Sequence, residues 1–287
     1  MSAASVGYLL PDWPAPAHIR AACTLRSGGV SPAPYDSLNL GAAGGDARER
    51  VAENRRRVRE ALQLPAEPAW LHQVHGASVV DLDALTADTD APVAPREAPR
   101  SGAYPIGVLG EPALPTADAA VTRRSGRVCV VRIADCLPVL FTTADGTRVA
   151  AAHAGWRGLA AGVLEATIDA LGTAPAQLMA WLGPAIGPQH FEVGEDVHRA
   201  FTAEDQSAAS AFVPNARGRW RCDLPALARL RLARAGVGRV FGGHWCTYSD
   251  PARFFSYRRD GECGRMAALI WMEQQDPGRA TMIRDEV

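Results

Sequence analysis

The sequence predicts an α+β protein built as a single domain around mixed β-sheets. Strand-like and helix-like segments are mixed along the chain without the strict β-α-β alternation of a doubly wound protein, and several strand candidates follow one another directly. The 287 residues contain neither an internal repeat nor a convincing linker, and they provide enough chain for one large core. We therefore expect one domain over residues 1–287.

The N-terminal part begins with a predicted strand followed by a predicted helix. Apolar residues at 19–26 predict the strand, which leads into a loop rich in Gly and Pro. Asp46 is placed to cap the helix. The predicted buried side of this helix consists of Val51, Val58, Ala61 and Leu62.

The chain between 69 and 116 has weaker signals. Residues 69–83 alternate as a hairpin-like pair of strands around Gly76. Residues 84–116 are rich in Pro, Ala and Asp without sustained periodicity, which predicts a long, flexible surface loop.

From residue 119 onward, strands come first and helices follow. Strands are predicted at 119–122, 128–134, 137–142 and 148–153. Helical periodicity then runs from Gly155 to Gly172. The remaining elements are predicted as a strand at 178–182, helices at 196–202 and 223–234, and strands at 254–258 and 266–272.

The composition excludes several classes of function. All 30 basic residues are Arg, so the chain has no Schiff-base lysine and no P-loop lysine. A net charge of -1 predicts neither nucleic acid nor a membrane as partner, and the sequence carries no signal for oligomeric state. The six cysteines form no C-x-x-C pair, and the N-terminus does not resemble a secretory signal, so we expect reduced thiols and a cytoplasmic protein.

Three segments concentrate the reactive side chains: LHQVHG at 71–76, ADCLPVLF at 134–141 and AAAHAGWRG at 150–158. A tight strand-turn-strand path would let Cys136 and His153 face each other. Residues three apart on a strand point to opposite faces, so only one of His72 and His75 should join them, and His75 is favoured because it precedes Gly76. One thiolate and two imidazoles suit Zn²⁺ and leave a fourth position open, as in catalytic sites.

Each candidate also has a purely structural interpretation. Cys136 alone among apolar residues is typical of a small buried hydrophobe, and His153 is equally able to bind a backbone carbonyl. The helix after Gly155 offers free N–H groups for a phosphate, with Arg157 beside them. Arg258 and Arg259 should lie on opposite faces of the last-but-one strand, where a pair of surface arginines is the simpler interpretation.

Many motifs in one order give a more specific indication. The chain contains TLRSGGVS (24–31), SLNLG (37–41), VAENRRRV, LHQVHG, TADAAVT, ADCLPVLF, HAGWRG and GPAIGPQHFEVG (183–194). The last of these motifs is CTYSDPARFFSYRRDGECGRMAALIWM. In these motifs the chain resembles the YfiH-type polyphenol oxidase or "laccase-domain" family, described as zinc-dependent purine nucleoside phosphorylases. The resemblance implies a single-domain, layered α/β/β/α sandwich.

The resemblance also implies site residues and activities. His75, Cys136 and His153 match the family's metal ligands and catalytic group, and Arg259 matches an arginine implicated in substrate or phosphate binding. The implied reactions are phosphorolysis of adenosine, inosine and S-methyl-5'-thioadenosine to free base and ribose 1-phosphate, together with adenosine deamination. The H-x-E signature of other zinc deaminases is absent, so Asp118 or Asp135 are candidates for proton transfer. Cys263 stands where the family commonly has Thr, and it is not expected to be a ligand.

Three alternatives remain at this point. A copper-linked polyphenol oxidase is disfavoured as a multicopper enzyme because the chain has no H-x-H pair, although copper binds Cys-His-His sites in vitro. A metal-free Cys-His hydrolase or amidase acting on a cell-wall precursor would use Cys136 as nucleophile and His153 as base. A non-catalytic binding protein is the third alternative.

Overall fold

The computed structural model describes residues 5–42, 44–85 and 114–274. Most of the loop predicted over 84–116 lies outside the described residues. The described strands, in chain order, are β1 (Tyr8–Leu9), β2 (Ile19–Thr24), β3 (Val79–Asp81), β4 (Ala119–Thr122), β5 (Val128–Ile133), β6 (Leu137–Thr143), β7 (Val149–Ala154), β8 (Leu178–Leu182), β9 (Glu192–Val193), β10 (Phe212–Pro214), β11 (Trp220–Cys222), β12 (Arg239–Gly242) and β13 (Met266–Met272). The described helices are α1 (Arg48–Ala61), α2 (Trp156–Ala160), α3 (Val163–Leu171), α4 (Glu195–Thr202), α5 (Leu224–Arg234) and α6 (Tyr257–Asp260).

Two sheets form the centre of the fold. The first has the strand order β1-β2-β13-β5 and is antiparallel throughout. The second has the order β12-β8-β6-β7-β4-β3, with parallel pairs at both edges and antiparallel pairs between them. A small third sheet joins β9, β10 and β11. The predicted mixed-sheet architecture is therefore confirmed.

Alternation along the strands explains the layers. Along β5, Val128 and Val130 pack toward α1, whereas Cys129 and Val131 pack between the two sheets. The outer face of the second sheet packs against α3 and α5. The order of layers is thus α1, first sheet, second sheet, then α3 and α5, which agrees with the expected α/β/β/α sandwich.

The turn between β5 and β6 carries the chain from one sheet to the other. Asp135 lies in this turn with a φ of 83°, in the left-handed region that few non-glycine residues adopt. Cys136 follows it directly and precedes the first residue of β6. The crossing between the sheets therefore places a thiol at the end of the second sheet.

Several predicted elements differ in the structure. The hairpin over 69–83 is wrong: Ala69 bridges Cys129, His72 bridges Thr116, and β3 pairs in parallel with β4. These segments pair with distant strands, so local alternation did not reveal their partners. The helix predicted from Gly155 to Gly172 is two helices, because Gly162 adopts a φ of 90° between α2 and α3.

The predictions for the first helix and for residues 254–258 also need correction. Asp46 is not the N-cap of α1; the cap is Ala47, and Asp46 accepts its N–H beside the helix start. Ala61 is exposed, and the buried polar side chain on α1 is Asn54. The strand predicted at 254–258 is wrong, since Ser256 caps the short helix α6 there.

No helix among the described residues has the length and apolar character needed to cross a lipid bilayer.

Candidate metal centre and adjoining cleft

Three of the singled-out side chains converge at one end of the second sheet. Each of His75, Cys136 and His153 offers one ligand atom, and these atoms lie within 4.8 Å of one another. The two imidazole rings meet edge to face, with centroids 4.9 Å apart. Among the described residues, this is the group of His, Cys, Asp and Glu side chains whose geometry suits a metal ion.

The ligand candidates come from different kinds of backbone. His153 lies on β7, where it pairs with Pro138 of β6, so Cys136 lies just beyond this register. His75 lies in a turn with a φ of 62°, and no strand includes it. The strand-face argument that favoured it over His72 is therefore wrong, although His72 is exposed and bridges Thr116 away from the cluster. The turn conformation turns the His75 ring toward the other two.

Asp118 holds two of the three ligand candidates in place. Its fully buried carboxylate accepts a hydrogen bond from Nδ1 of His153 at 2.8 Å. It also accepts the backbone N–H groups of Val74, His75 and Gly76 at 3.2, 2.9 and 2.7 Å. The bond to Nδ1 leaves Nε2 of His153 as the nitrogen available to a ligand, which is the usual carboxylate-histidine arrangement of metal sites.

Charge interactions make Cys136 a thiolate. Burial raises the pKa of its thiol, but the charge of His153 and hydrogen bonds from His153 and His75 lower the pKa to about 6. Burial lowers the pKa of His153, whereas Cys136 and Asp118 raise it to about 9. Cys23 shows the contrast, because burial without such neighbours raises its pKa to about 12.

The carboxylate behind the cluster stays ionised. Burial raises the pKa of Asp118, but the hydrogen bonds from His153 and the Gly76 N–H outweigh it, so the pKa lies below its ordinary value. Its oxygens face protein donors. The other proposed proton carrier, Asp135, accepts from Thr247 Oγ1 at 2.5 Å and from the Arg258 N–H at 2.7 Å. Both carboxylates therefore position the segments that carry the cluster.

Two glycines allow the backbone to approach the cluster. A Cβ on Gly155 would lie 2.8 Å from Cys136 Sγ, and a Cβ on Gly158 would lie 2.8 Å from the Gly76 carbonyl oxygen. Gly155 is also the N-cap of α2. The H-A-G-W-R-G segment thus brings a helix start against the thiol.

The three predicted phosphate contacts lie in different surroundings. Gly155 touches the cluster, whereas Arg157 is exposed with its guanidinium 4.4 Å from the ring centroid of Trp156. Arg259 is only 16% exposed. Its role in phosphate binding stays a prediction, and its hydrogen bonds bear directly on that role.

The guanidinium of Arg259 is fully engaged by the protein. Its Nε and one terminal nitrogen donate to the Asp260 carboxylate at 2.7 and 2.6 Å. Its terminal nitrogens also donate to the carbonyls of Thr247, Tyr248 and Phe254 at 2.8, 2.9 and 2.9 Å. Because a guanidinium has five N–H groups, a phosphate here would have to replace one of these acceptors.

A cleft that the sequence did not reveal is connected to the turn before Cys136 through Arg258, whose backbone N–H donates to Asp135. It has a volume of about 430 Å³ and is lined in part by His190, Tyr248, Arg221 and Arg258. His190 and Tyr248 stack with ring centroids 4.2 Å apart. Trp156, which follows Gly155, lines a neighbouring cleft that shares Arg258. The residues that line these clefts come from several separate segments, so no local motif predicts them.

Cys263 lies outside the cluster. It is buried, and its sulfur accepts a hydrogen bond from Arg265 at 3.5 Å. The other four cysteines are likewise outside the cluster, and all six cysteines are unpaired.

The chain matches proteins of known sequence over most of its length. A family model described as "Multi-copper polyphenol oxidoreductase laccase" matches residues 20–273. A purine nucleoside phosphorylase of Pseudomonas aeruginosa is 52% identical over 267 residues, covering 93% of this chain and 98% of the relative. The purine nucleoside phosphorylase YfiH of Escherichia coli is 48% identical over 265 residues, covering 92% and 98%.

Solved structures show the same fold. A crystal structure of a Neisseria meningitidis protein superposes with a TM-score of 0.82 at 46% identity, covering 93% of this chain and 100% of that one. The structure of YlmD from Geobacillus stearothermophilus superposes with a TM-score of 0.78 at 29% identity, covering 93% and 97%.

Proposed function

The chain belongs to the family of multi-copper polyphenol oxidoreductase laccases. We propose that it catalyses phosphorolysis of purine nucleosides, with Zn²⁺ bound by His75, Cys136 and His153. The converging His-Cys-His group is the observation that carries the proposal. Relatives with about half of their residues identical are named purine nucleoside phosphorylases. The proposed substrates are adenosine, inosine and S-methyl-5'-thioadenosine.

The donor set fits Zn²⁺. Two imidazole nitrogens and one thiolate are ligands that Zn²⁺ binds in proteins, and three protein ligands leave a position open in catalytic sites. The lowered pKa of Cys136 supplies the thiolate without a strong base. Asp118 supplies the hydrogen bond that orients His153 and fixes its tautomer. When bound, the ion would supply a Lewis acid that stabilises negative charge on the substrate.

The reaction transfers the ribosyl group from base to phosphate. A phosphate oxygen forms a bond to C1′ while the bond from C1′ to the base nitrogen breaks, and the electron pair leaves with the base, which takes up a proton. The chain's own task is to hold both substrates in line and to exclude water. The cleft lined by His190, Tyr248 and Arg258 has a volume of about 430 Å³, which is in the range of small-molecule sites.

Adenosine deamination is a second activity that we propose at the same donor set. Water adds to C6 of the purine, the C6–N6 bond breaks, and the amino group leaves as ammonia, which gives inosine. We place both activities in the cytoplasm, because a thiolate ligand and six unpaired cysteines suit a reducing compartment.

Product analysis tests the proposal. Purified protein is incubated with adenosine, with and without phosphate, and the products are separated by chromatography. We expect adenine and ribose 1-phosphate only when phosphate is present, and inosine in either case if the protein also deaminates. Absence of base release with phosphate would contradict phosphorolysis, and Cys136→Ser should abolish it.

One arrangement in the structure favours a second candidate, a metal-free cysteine hydrolase or amidase. Cys136, His153 and Asp118 have the order of a nucleophile, a base and an orienting carboxylate. A chelator separates the two candidates, because a Cys-His-Asp enzyme retains turnover after the metal is removed. Metal analysis separates zinc from copper: stoichiometric copper without zinc in protein purified without added metal would support the oxidase instead.

A further inference from the structure

The two arginines of the Y-R-R-D segment have opposite surroundings. Arg259 directs all five of its N–H groups to protein oxygens. Arg258 is exposed, and its side chain makes one hydrogen bond, from a terminal nitrogen to the Glu192 carbonyl at 2.9 Å. Among the described residues, no other acceptor binds the remaining N–H groups of the Arg258 guanidinium. This guanidinium therefore has donors to offer a ligand.

The backbone of Arg258 is fixed beside the metal ligands. Its N–H donates to the Asp135 carboxylate at 2.7 Å, and Asp135 directly precedes Cys136. Asp135 also accepts from Ser256 Oγ at 3.1 Å and from Thr247 Oγ1 at 2.5 Å. The start of α6 is thus tied to the turn that carries the thiol, while the Arg258 side chain extends outward over Phe191, 5.4 Å from the ring centroid.

The cleft that Arg258 enters has an excess of positive charge. Its charged lining residues are Arg217, Arg221, Arg258 and Glu192. The Glu192 carboxylate already accepts a hydrogen bond from Asn215 Nδ2 at 2.8 Å, and its ion-pair contact to Arg217 is 3.8 Å long. Three guanidinium groups against one carboxylate suit a dianion, which an arginine binds through two parallel N–H groups.

We propose that Arg258, rather than Arg259, binds the phosphate co-substrate, in the cleft that Arg258 lines with Arg217 and Arg221. Arg259 is then a positioning residue that holds the 247–260 segment around Asp135. This assignment rests on the proposed phosphorolysis. It explains why a phosphate-using protein without lysine presents a guanidinium with unused N–H groups on the segment that binds the turn before Cys136.

Steady-state kinetics of Arg258→Gln test the assignment. We expect the KM for phosphate to rise about 10-fold or more, since the charge-assisted pair is lost. The KM for inosine should change less than about twofold, and the thermal melting temperature should match the wild type. Guanidinium ion added to Arg258→Ala should partly restore turnover at low phosphate. Arg199→Gln is the matched control, because Arg199 is an exposed arginine on α4 that pairs with Glu195.

Different outcomes overturn different statements. An unchanged phosphate KM in Arg258→Gln, with an active wild type, overturns the assignment alone. A selective rise of the inosine KM does the same, since it makes Arg258 a nucleoside contact. If Arg259→Gln raises the phosphate KM with no loss of thermal stability, Arg259 is the contact and the assignment is wrong. A wild type that releases no base with phosphate removes the proposed function itself.

Discussion

At the scale of single residues, Asp118 determines the geometry of the candidate metal centre. One carboxylate binds the ring of His153 and the backbone of His75, so two ligand candidates share one support. Replacing it by Asn leaves an amide nitrogen that cannot accept these N–H groups. We expect Asp118→Asn to weaken zinc binding by about 10–100-fold, as losses of such supporting carboxylates do. Competition with a chromophoric chelator measures the affinity.

The control for this variant is Asp169→Asn, an exposed aspartate on α3. It should leave zinc affinity unchanged. Equal affinities in Asp118→Asn and wild type would show that the hydrogen bond to His153 contributes nothing to the site.

The lowered pKa of Cys136 gives a prediction for the metal-free protein. Because the thiolate persists down to a pH of about 6, its alkylation by iodoacetamide should stay fast at pH 7 and slow as the pH falls through 6. An ordinary thiol, with a pKa near 8.5, is largely protonated at pH 7. Mass spectrometry of the peptide containing Cys136 follows the reaction. A midpoint above about 8 would contradict the ion pair with His153.

Residue types indicated the ligand candidates, but their conformations and contacts came only from the structure. Cys136, His75 and His153 could be selected from motifs, because few side chains offer nitrogen and sulfur donors. Motifs predicted neither the left-handed backbone of His75 nor the hydrogen bonds that occupy the Arg259 guanidinium. The turn depends on Asp118, 43 positions away, and the guanidinium depends on the irregular path of the 247–260 segment, which no motif predicts.

At the scale of elements, α1 is fixed to the loop at 30–39 by a buried polar side chain. The Asn54 amide accepts the Val30 N–H at 2.8 Å. It also donates to Ser31 Oγ at 2.9 Å and to the carbonyls of Ser37 and Asn39 at 3.3 and 2.9 Å. Asn54 is fully buried, so these groups have no water to replace it.

We expect Asn54→Ala to lower the free energy of unfolding by about 3 kcal/mol, because a buried donor and several acceptors lose their partner. Urea denaturation measures the change. Glu49→Gln, an exposed position on the same helix, should change stability by less than about 0.5 kcal/mol. A loss below about 1 kcal/mol in Asn54→Ala would show that the loop at 30–39 rearranges and finds other hydrogen-bond partners for its polar groups.

Elements with strong periodicity could be predicted, and elements defined by distant partners could not. The strands β4 to β8 match the predicted ranges closely, since their apolar runs are long and bounded by turns. The sequence predicts a strand at 254–258, but residues Tyr257–Asp260 form α6, because Ser256 accepts the Arg259 N–H and caps the helix. The strands β9 to β12 have two to four residues each, too few for a period to emerge.

At the scale of the whole molecule, metal binding should be linked to folding. His75, Cys136 and His153 are separated by 61 and 17 positions in the sequence, so the site exists only when β6, β7 and the turn before β3 are assembled. A ligand that binds only the native state stabilises it by about 4 kcal/mol at 1,000 times its Kd. We expect the melting temperature of metal-free protein to rise with zinc concentration.

Cys136→Ser provides the comparison in the same calorimetric experiment. Its melting temperature should respond weakly to zinc, because serine is a poor ligand for this ion. An equal response of both proteins would mean that zinc binds elsewhere. The layered architecture itself could be predicted from the mixed pattern of elements, whereas the sheet order could not, since β5 and β6 are neighbours in sequence but belong to different sheets.

The ligand candidates differ in exposure to solvent, so the centre is accessible from one side. His75 is exposed, Cys136 is half-buried and His153 is only 3% exposed. An incoming ion or chelator from solvent meets the His75 imidazole before the other two donors. We therefore expect substitutions of His75 to change the rate of metal exchange most, and substitutions of His153 or Asp118 to change the equilibrium affinity most. His75 is the position at which exchange kinetics can be altered with the least disturbance of the core.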